Sequence, residues 1–169
     1  MKIIIVSDSH GNTSLLDLVR NNERDADLLI HCGDYCIPEY LMNGFAHVSG
    51  NCDWDMDALK QLDLKTPLGI IHVEHGNSFQ IMCNSTRYIG SMDAFLVFSG
   101  HTHEKKITKI RNTTWINPGS LTRPRDSNYG SFLKLFIDDK TKEITYHFQK
   151  VDLDNYTYEE DFDFPNKTN

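Results

Sequence analysis

The sequence predicts an α/β fold of two β-sheets with helices on their outer faces. Three observations carry that expectation. In the first half, short runs rich in Ile, Leu and Val alternate with segments of helical periodicity, as in strands joined by crossover helices. In the second half, two pairs of strand-like segments flank polar turns, as in antiparallel hairpins. The whole is 169 residues, 39% hydrophobic and 24% charged, which suits one domain with a substantial core.

The elements follow in order. "KIIIVS" (2–7) is a continuous β-branched run and reads as a strand buried on both faces. In "NTSLLDLVRNN" (12–22), Leu15, Leu16, Leu18 and Val19 form a helical stripe, with Asn12 or Thr13 as its cap. "DLLIH" (27–31) is a second strand. "PEYLMNG" (38–44) is one or two helical turns, opened by Pro38 and stopped by Gly44. "FAHVS" (45–49) and "LGIIHVE" (68–74) are strands. "SFQIMCNSTRYIG" (78–90) is helical, weakened by Asn84, Ser85 and Thr86. "AFLVF" (94–98) is a further strand. "KKITKI" (105–110) and "WIN" (115–117) form one hairpin, and "SFLKLFI" (131–137) and "EITYHFQ" (143–149) another. The expected assembly is a more parallel first sheet and a more antiparallel second one. No repeat or low-complexity linker divides the chain.

Formal net charge is −7, which argues against a general nucleic-acid binder needing a basic face. Asp152, Asp154, Glu159, Glu160, Asp161 and Asp163 crowd the last nineteen residues against Lys167 alone. Residues 151–169 are therefore expected to form an acidic tail, part of the same domain or loosely ordered, with Tyr156, Tyr158, Phe162 and Phe164 able to dock on the body. Cys32, Cys36, Cys52 and Cys83 form no CxxC pair, and a reduced cytoplasmic setting is expected. The apolar run before Asp8 is too short for a signal core or a membrane span.

Chemistry collects where the strands end. The first strand runs into Asp8-Ser9-His10, the second into Gly33-Asp34, the third into Gly50-Asn51-Cys52-Asp53, "IIHVE" into His75-Gly76, and "AFLVFS" into Gly100-His101-Thr102-His103. In open α/β sheets the crevice past the carboxyl ends of the strands is the binding place. Five such loops would gather Asp8, His10, Asp34, Asn51, His75, His101 and His103. Imidazole and carboxylate suit Mn, Zn, Fe or Ni. Seven ligands exceed one tetrahedral ion and fit two ions sharing a carboxylate. In extended backbone, the i, i+2 pairs Asp8/His10 and His101/His103 would each point to one side. Taken alone, Asp8 or Asp34 reads equally well as a cap or turn residue. His31, His47, His72 and His147 lie inside strand patterns and read as structural.

The ordered set DSH, GD, GNCD, HG and GHTH, with "NPGS" at 117–120, resembles the calcineurin-like metallophosphoesterase superfamily, and within it the small YfcE-like phosphodiesterase branch. The resemblance runs from Met1 to about Lys150, making residues 1–150 the metallophosphoesterase domain. It implies a four-layer αββα sandwich of two mixed sheets flanked by helices. It implies a dinuclear centre, with Asp8, His10 and His103 on one metal, Asn51, His75 and His101 on the other, and Asp34 bridging. Asp34 and Asn51 would be catalytic, in P–O hydrolysis by a hydroxide bridging two divalent ions, Mn expected ahead of Zn, Fe or Ni. Asn51, Cys52, Ser120 and Arg123 or Arg125 would face a small phosphate ester, though "NPGSLTRPR" also reads as a plain turn into the last hairpin.

Two positions depart from the family pattern. Cys52 stands where larger members have a leaving-group histidine, so activated esters are the expected substrates. Asn77 stands where the branch usually has a second histidine. No G-x-S-x-G elbow and no P-loop occur. The alternatives are a non-catalytic or weakly catalytic protein-binding scaffold of the same fold, as in an endosomal coat subunit, and a Mn-dependent nuclease. No membrane partner is expected, nucleic acid is disfavoured, and homo-oligomerisation stays open.

Overall fold

Strand periodicity divides β1 (Lys2–Val6) between two cores. Ile3 and Ile5 enter one apolar cluster and Ile4 and Val6 another, all four fully buried. The computed structural model describes residues 1–54, 57–153 and 158–159. Around β1 the chain adds α1 (Thr13–Asn22), β2 (Leu28–His31), a single 3₁₀ turn (Glu39–Met42) and β3 (Phe45–His47). It continues with β4 (Gln61–Thr66), β5 (Gly69–Glu74), α2 (Phe79–Ile89), β6 (Leu96–Phe98) and the hairpin of β7 (Lys105–Ile110) and β8 (Thr113–Pro118). β9 (Gly130–Ile137), β10 (Ile144–Val151) and the two-residue β11 (Tyr158–Glu159) complete it.

Two sheets result, ordered β11-β10-β9-β1-β2-β3 and β4-β5-β6-β8-β7. Their facing sides enclose the first cluster, which holds Ile3, Ile30, Val73, Phe98, Ile116 and Leu133 among others. On the outer face of the first sheet, Leu15, Leu16 and Val19 of α1 pack on Ile4 and Val6. On the outer face of the second, Ile81 and Ile89 of α2 pack on Val97 and Trp115. The layers are thus helix, sheet, sheet, helix, as expected. Asn12 caps α1, its side chain accepting from the Leu15 N–H at 3.0 Å.

Two details differ from the sequence expectation. Parallel and antiparallel pairing do not separate by sheet. β1, β2 and β3 run parallel in one, β5, β6 and β8 in the other, and each hairpin extends a different sheet. β4 was not expected. It pairs antiparallel with β5, with Leu62 and Leu64 turned to the core and Asp63 and Lys65 to solvent. Residues 38–44 supply one helical turn as expected, of 3₁₀ type, and α2 is kinked at Asn84 (φ −135°, ψ 29°), in the stretch expected to weaken it. The acidic tail lies outside the described residues except for 151–153 and 158–159. No helix among the described residues is long and apolar enough to cross a membrane.

Candidate metal centre

The parallel strands of both sheets end at one edge, and the loops beyond them carry the polar residues singled out above. These loops do not use extended backbone. Asp8 (φ 55°), His10 (41°), Asp34 (58°), Cys36 (53°), His101 (67°) and His103 (61°) all occupy the left-handed region. Non-glycine residues visit that region at a cost and cluster at functional sites. The i, i+2 pairs therefore converge through tight left-handed turns, not through strand alternation. The first two loops are laced together by backbone bonds, Asp8 N to Gly33 O at 3.1 Å and His10 N to Asp34 O at 3.0 Å.

Two groups of metal-competent atoms result, each within 4.8 Å: Asp8, His10 and His103 in one, Asp8, Asp34 and His75 in the other. His103 Nε2 stands 3.1 Å from Asp8 Oδ1 and 3.3 Å from His10 Nε2. His75 Nε2 stands 3.4 Å from Asp34 Oδ1. Each of these histidines is oriented by its other nitrogen. Nδ1 of His75 donates to the Cys32 carbonyl at 2.8 Å, and Nδ1 of His103 to the Arg123 carbonyl at 2.7 Å. Such bonds aim Nε2 and fix its tautomer in metal sites. Asp8 Oδ1 and His75 Nε2 are buried without an aligned hydrogen-bond partner. Such atoms are costly unless a cation joins them, so the residues present fit divalent metal. The ring of His101 lies 5.2 Å from that of His75, and the ring of His103 lies 5.1 Å from that of His10.

The titrations reflect the same crowding. Burial alone would raise Asp34, but His75 and the Cys52 N–H outweigh it and hold the carboxyl well below its usual range. Asp8 is lowered likewise, chiefly by His103 and His75 against burial. His103 is raised, first by Asp8. His75 is raised because Asp34 and Asp8 overcome its burial. A proton there does what a metal ion would do. Burial lowers His10 and His101, helped by Arg123 and His75 respectively.

His10, Asp34, Asn51, Cys52, His101, His103, Arg123 and Arg125 line one cavity of about 330 Å³. Asn51 is exposed there, its amide donating to Cys52 Sγ at 3.3 Å. Ser120 is not brought to this cavity, a correction to its expected substrate role. Its hydroxyl is fully buried, donating to the Asp8 carbonyl at 2.9 Å and accepting from Arg123 N at 2.8 Å. Thr122 Oγ1 donates to the same Asp8 carbonyl. "NPGSLT" is thus a brace for the first loop.

Spacing did not reveal two further supports. Asp53 accepts the backbone N–H groups of Asp34 (2.8 Å), Cys36 (2.7 Å) and Gly50 (2.7 Å), clamping the second and third loops. Asn117 donates to Gly100 O at 2.6 Å and Thr102 Oγ1 at 3.1 Å, holding "GHTH". Asp53 was visible as the last residue of "GNCD", and Asn117 as the first of "NPGS".

His47, His72 and His147 do not line the cavity and make local contacts instead, to the Phe45 carbonyl, Asp63 and the Phe136 ring. His31 lies beneath the site. Its Nδ1 accepts from Gly33 N at 3.1 Å, leaving Nε2–H to donate to Ser9 Oγ at 3.0 Å. Burial holds this imidazole down at about 3. The unfolded chain takes up that proton near pH 6.5, the folded chain only near 3, so acid favours unfolding between those values. The linkage amounts to roughly 2 kcal/mol lost from pH 7 to pH 5. Urea unfolding of His31→Gln should show a smaller loss over that interval than the parent, and an equal loss would refute the assignment.

The comparisons with known proteins agree with this geometry. A model of the calcineurin-like phosphoesterase superfamily domain matches residues 1–140. A probable metallophosphoesterase of Bacillus subtilis (strain 168), YsnB, is 30% identical over 155 residues, spanning 88% of this chain and 92% of its own. A solved structure of a predicted phosphoesterase from Streptococcus pneumoniae TIGR4 superposes with a TM-score of 0.81 at 26% identity, covering 93% of this chain and 92% of its own. Vps29 of Entamoeba histolytica, complexed with zinc, shares the fold with a TM-score of 0.70 at 21% identity, over 95% of this chain and 97% of its own. With the family model spanning most of the domain and the motif residues gathered at one sheet edge, the chain belongs to the calcineurin-like phosphoesterase superfamily.

Proposed function

We propose that this protein is a phosphodiesterase using two divalent metal ions, manganese foremost. The observation that supports it best is the pair of buried atoms without an aligned hydrogen-bond partner, Asp8 Oδ1, from the carboxylate common to both ligand groups, and His75 Nε2, from the second. In this reading Asp8, His10 and His103 hold the first ion, Asn51, His75 and His101 the second, and Asp34 is shared. When bound, such ions lower the pKa of a coordinated water and offset charge on the phosphoryl oxygens.

The chain's own residues do the rest. Arg123 and Arg125 offer positive charge at the cavity wall to the substrate anion. The Cys32 and Arg123 carbonyls keep His75 and His103 aimed, so little reorganisation is needed during reaction. Burial, with Asp34 beside it, raises the Cys52 thiol, so it stays protonated and is a weak acid for an alkoxide. Esters with good leaving groups should therefore turn over best. A cavity of about 330 Å³ suits a small ester rather than a duplex. The four free cysteines suit a reducing cytoplasm.

The test is hydrolysis of bis-p-nitrophenyl phosphate. Release of p-nitrophenol should require Mn²⁺, stop with a chelator and return on adding metal back. A metal-replete protein that turns over neither this diester nor a panel of monoesters would overturn the proposal in favour of a binding scaffold. Cleavage confined to DNA, weakening steeply with salt, would favour the nuclease alternative.

A further inference from the structure

At the rim of the same cavity stands a third cluster, which shares His10 with the first ligand group. Cys36 Sγ, Cys52 Sγ and a ring nitrogen of His10 lie within 4.8 Å of one another, all three residues partly buried. Cys36 Sγ is 3.6 Å from His10 Nδ1. The sulfurs come from the loops after β2 and β3, the two that Asp53 clamps together through Cys36 N and Gly50 N. We propose that Cys36, Cys52 and His10 form a site for a thiophilic divalent ion of the zinc and cadmium class, bound by two sulfurs and Nδ1.

The spacing fits such an ion. Donors about 2.3 Å (sulfur) and 2.0 Å (nitrogen) from one tetrahedral centre stand ~3.5 Å apart, against the observed 3.6 Å. Soft thiolates select this class of metal over manganese. Asp53 accepts the Cys36 N–H at 2.7 Å and Asp34 the Cys52 N–H at 2.8 Å, so two carboxylates stand beside the sulfurs and favour a cation there. Binding replaces two S–H bonds by two sulfur–metal bonds and releases two protons to solvent, with no change of oxidation state. Cys52 and His10 line the cavity, so a fourth position faces it.

The site also has a consequence for the first ion, which rests on the function proposed above. A neutral imidazole has one lone pair. Nε2 of His10 faces His103, and Nδ1 faces the sulfurs. An ion on Nδ1 leaves the proton on Nε2 and withdraws His10 from Asp8 and His103. Occupancy by a thiophilic ion therefore opposes binding of the first catalytic ion.

Cadmium is the probe, titrated into the full chain carrying Cys83→Ser, which removes an exposed thiol of α2. A near-ultraviolet sulfur-to-cadmium charge-transfer band should grow and saturate at one equivalent. Cys36→Ser and Cys52→Ser should each weaken cadmium binding at least about tenfold, and His10→Ala should weaken it similarly while the band persists. In the unmutated chain, cadmium should protect Cys36 and Cys52 from alkylation, a readout independent of the variants' folding. Absence of the band, or its survival in a Cys36→Ser chain whose thermal unfolding matches the parent's, overturns the site. Spin resonance should show bound Mn²⁺ falling as the band grows. A band with undiminished Mn²⁺ would overturn the antagonism and the place of His10 in the first ion's shell, leaving the sulfur site standing.

Discussion

Asp34→Asn should lower phosphodiester turnover about a thousandfold while leaving the fold intact. The two parts of that expectation have separate causes. The fold survives because Asn keeps an oxygen at the Oδ1 position, which accepts the Cys52 N–H at 2.8 Å in the parent. The backbone clamp from Asp53 to Asp34 N does not involve the side chain. Thermal unfolding without metal should therefore stay cooperative, with a loss of about 1–3 kcal/mol for the charge that His75 and the Cys52 N–H stabilise in the parent.

Turnover falls because the lost charge lies where two cations are proposed to meet. Asp34 faces His75 Nε2 at 3.4 Å and lines the cavity with His10, His101 and His103. Without it, the ligand group of Asp8, Asp34 and His75 keeps a single carboxylate. Charge held in place at a reacting centre is commonly worth two to three orders of magnitude. Plasma-emission metal analysis should find less than the parent's bound Mn²⁺, and the deficit should track lost p-nitrophenol release. A variant keeping more than about a tenth of parental turnover would remove Asp34 from the catalytic machinery.

What could be read from the sequence, and what could not, follows from how each residue acts. The strand ends were legible because apolar runs stop abruptly in Asp, His and Gly, and burial demands that contrast. His31 was legible as structural because it precedes the strand's exit, and it is fully buried with both nitrogens engaged. β4 was not legible. It is a half-exposed edge whose only periodic signal is Leu62 and Leu64 between the polar Gln61, Asp63 and Lys65. The left-handed turns at Asp8, His10, His101 and His103 were not legible either, since Asp and His enter that region only uncommonly and distant contacts decide where they do. Ser120, Asn117 and Asp53 act on backbone carbonyls and N–H groups of distant loops. Such bonds leave no spacing signature, so Ser120 was read as a substrate contact when it holds the Asp8 carbonyl.

Gly100→Ala should cost about 3 kcal/mol of stability, at the upper end of overpacking in a rigid interior, and should impair metal binding with it. A β-carbon at Gly100 would overlap Ser7 Oγ and stand 2.5 Å from Asp8 Oδ2 and 2.9 Å from Ser7 Cβ. Neither side can yield cheaply. Gly100 is fixed by its N–H to the His75 carbonyl at 2.9 Å and by its carbonyl, which accepts from Asn117. Ser7 and Asp8 are fully buried, and Ser7 Oγ donates to Asp8 Oδ2 at 2.6 Å. Asp8 is further held at its carbonyl by Ser120 and Thr122, and its Oδ2 accepts the His101 N–H at 3.1 Å. The added methyl must therefore displace the carboxylate common to both ligand groups. Gly44 is the informative contrast. Its φ is +91°, but the nearest atom to a new β-carbon is the flexible Arg20 Nε at 3.9 Å. Gly44→Ala should thus cost only the backbone strain, about 1 kcal/mol. Removing the Ser7 hydroxyl should partly relieve the clash, so Gly100→Ala with Ser7→Ala should lose less than the sum of the single variants. Urea unfolding of the four chains measures this coupling. Strict additivity, or a Gly100→Ala loss no larger than that of Gly44→Ala, would show that close packing on Ser7 and Asp8 is not what requires glycine at this position.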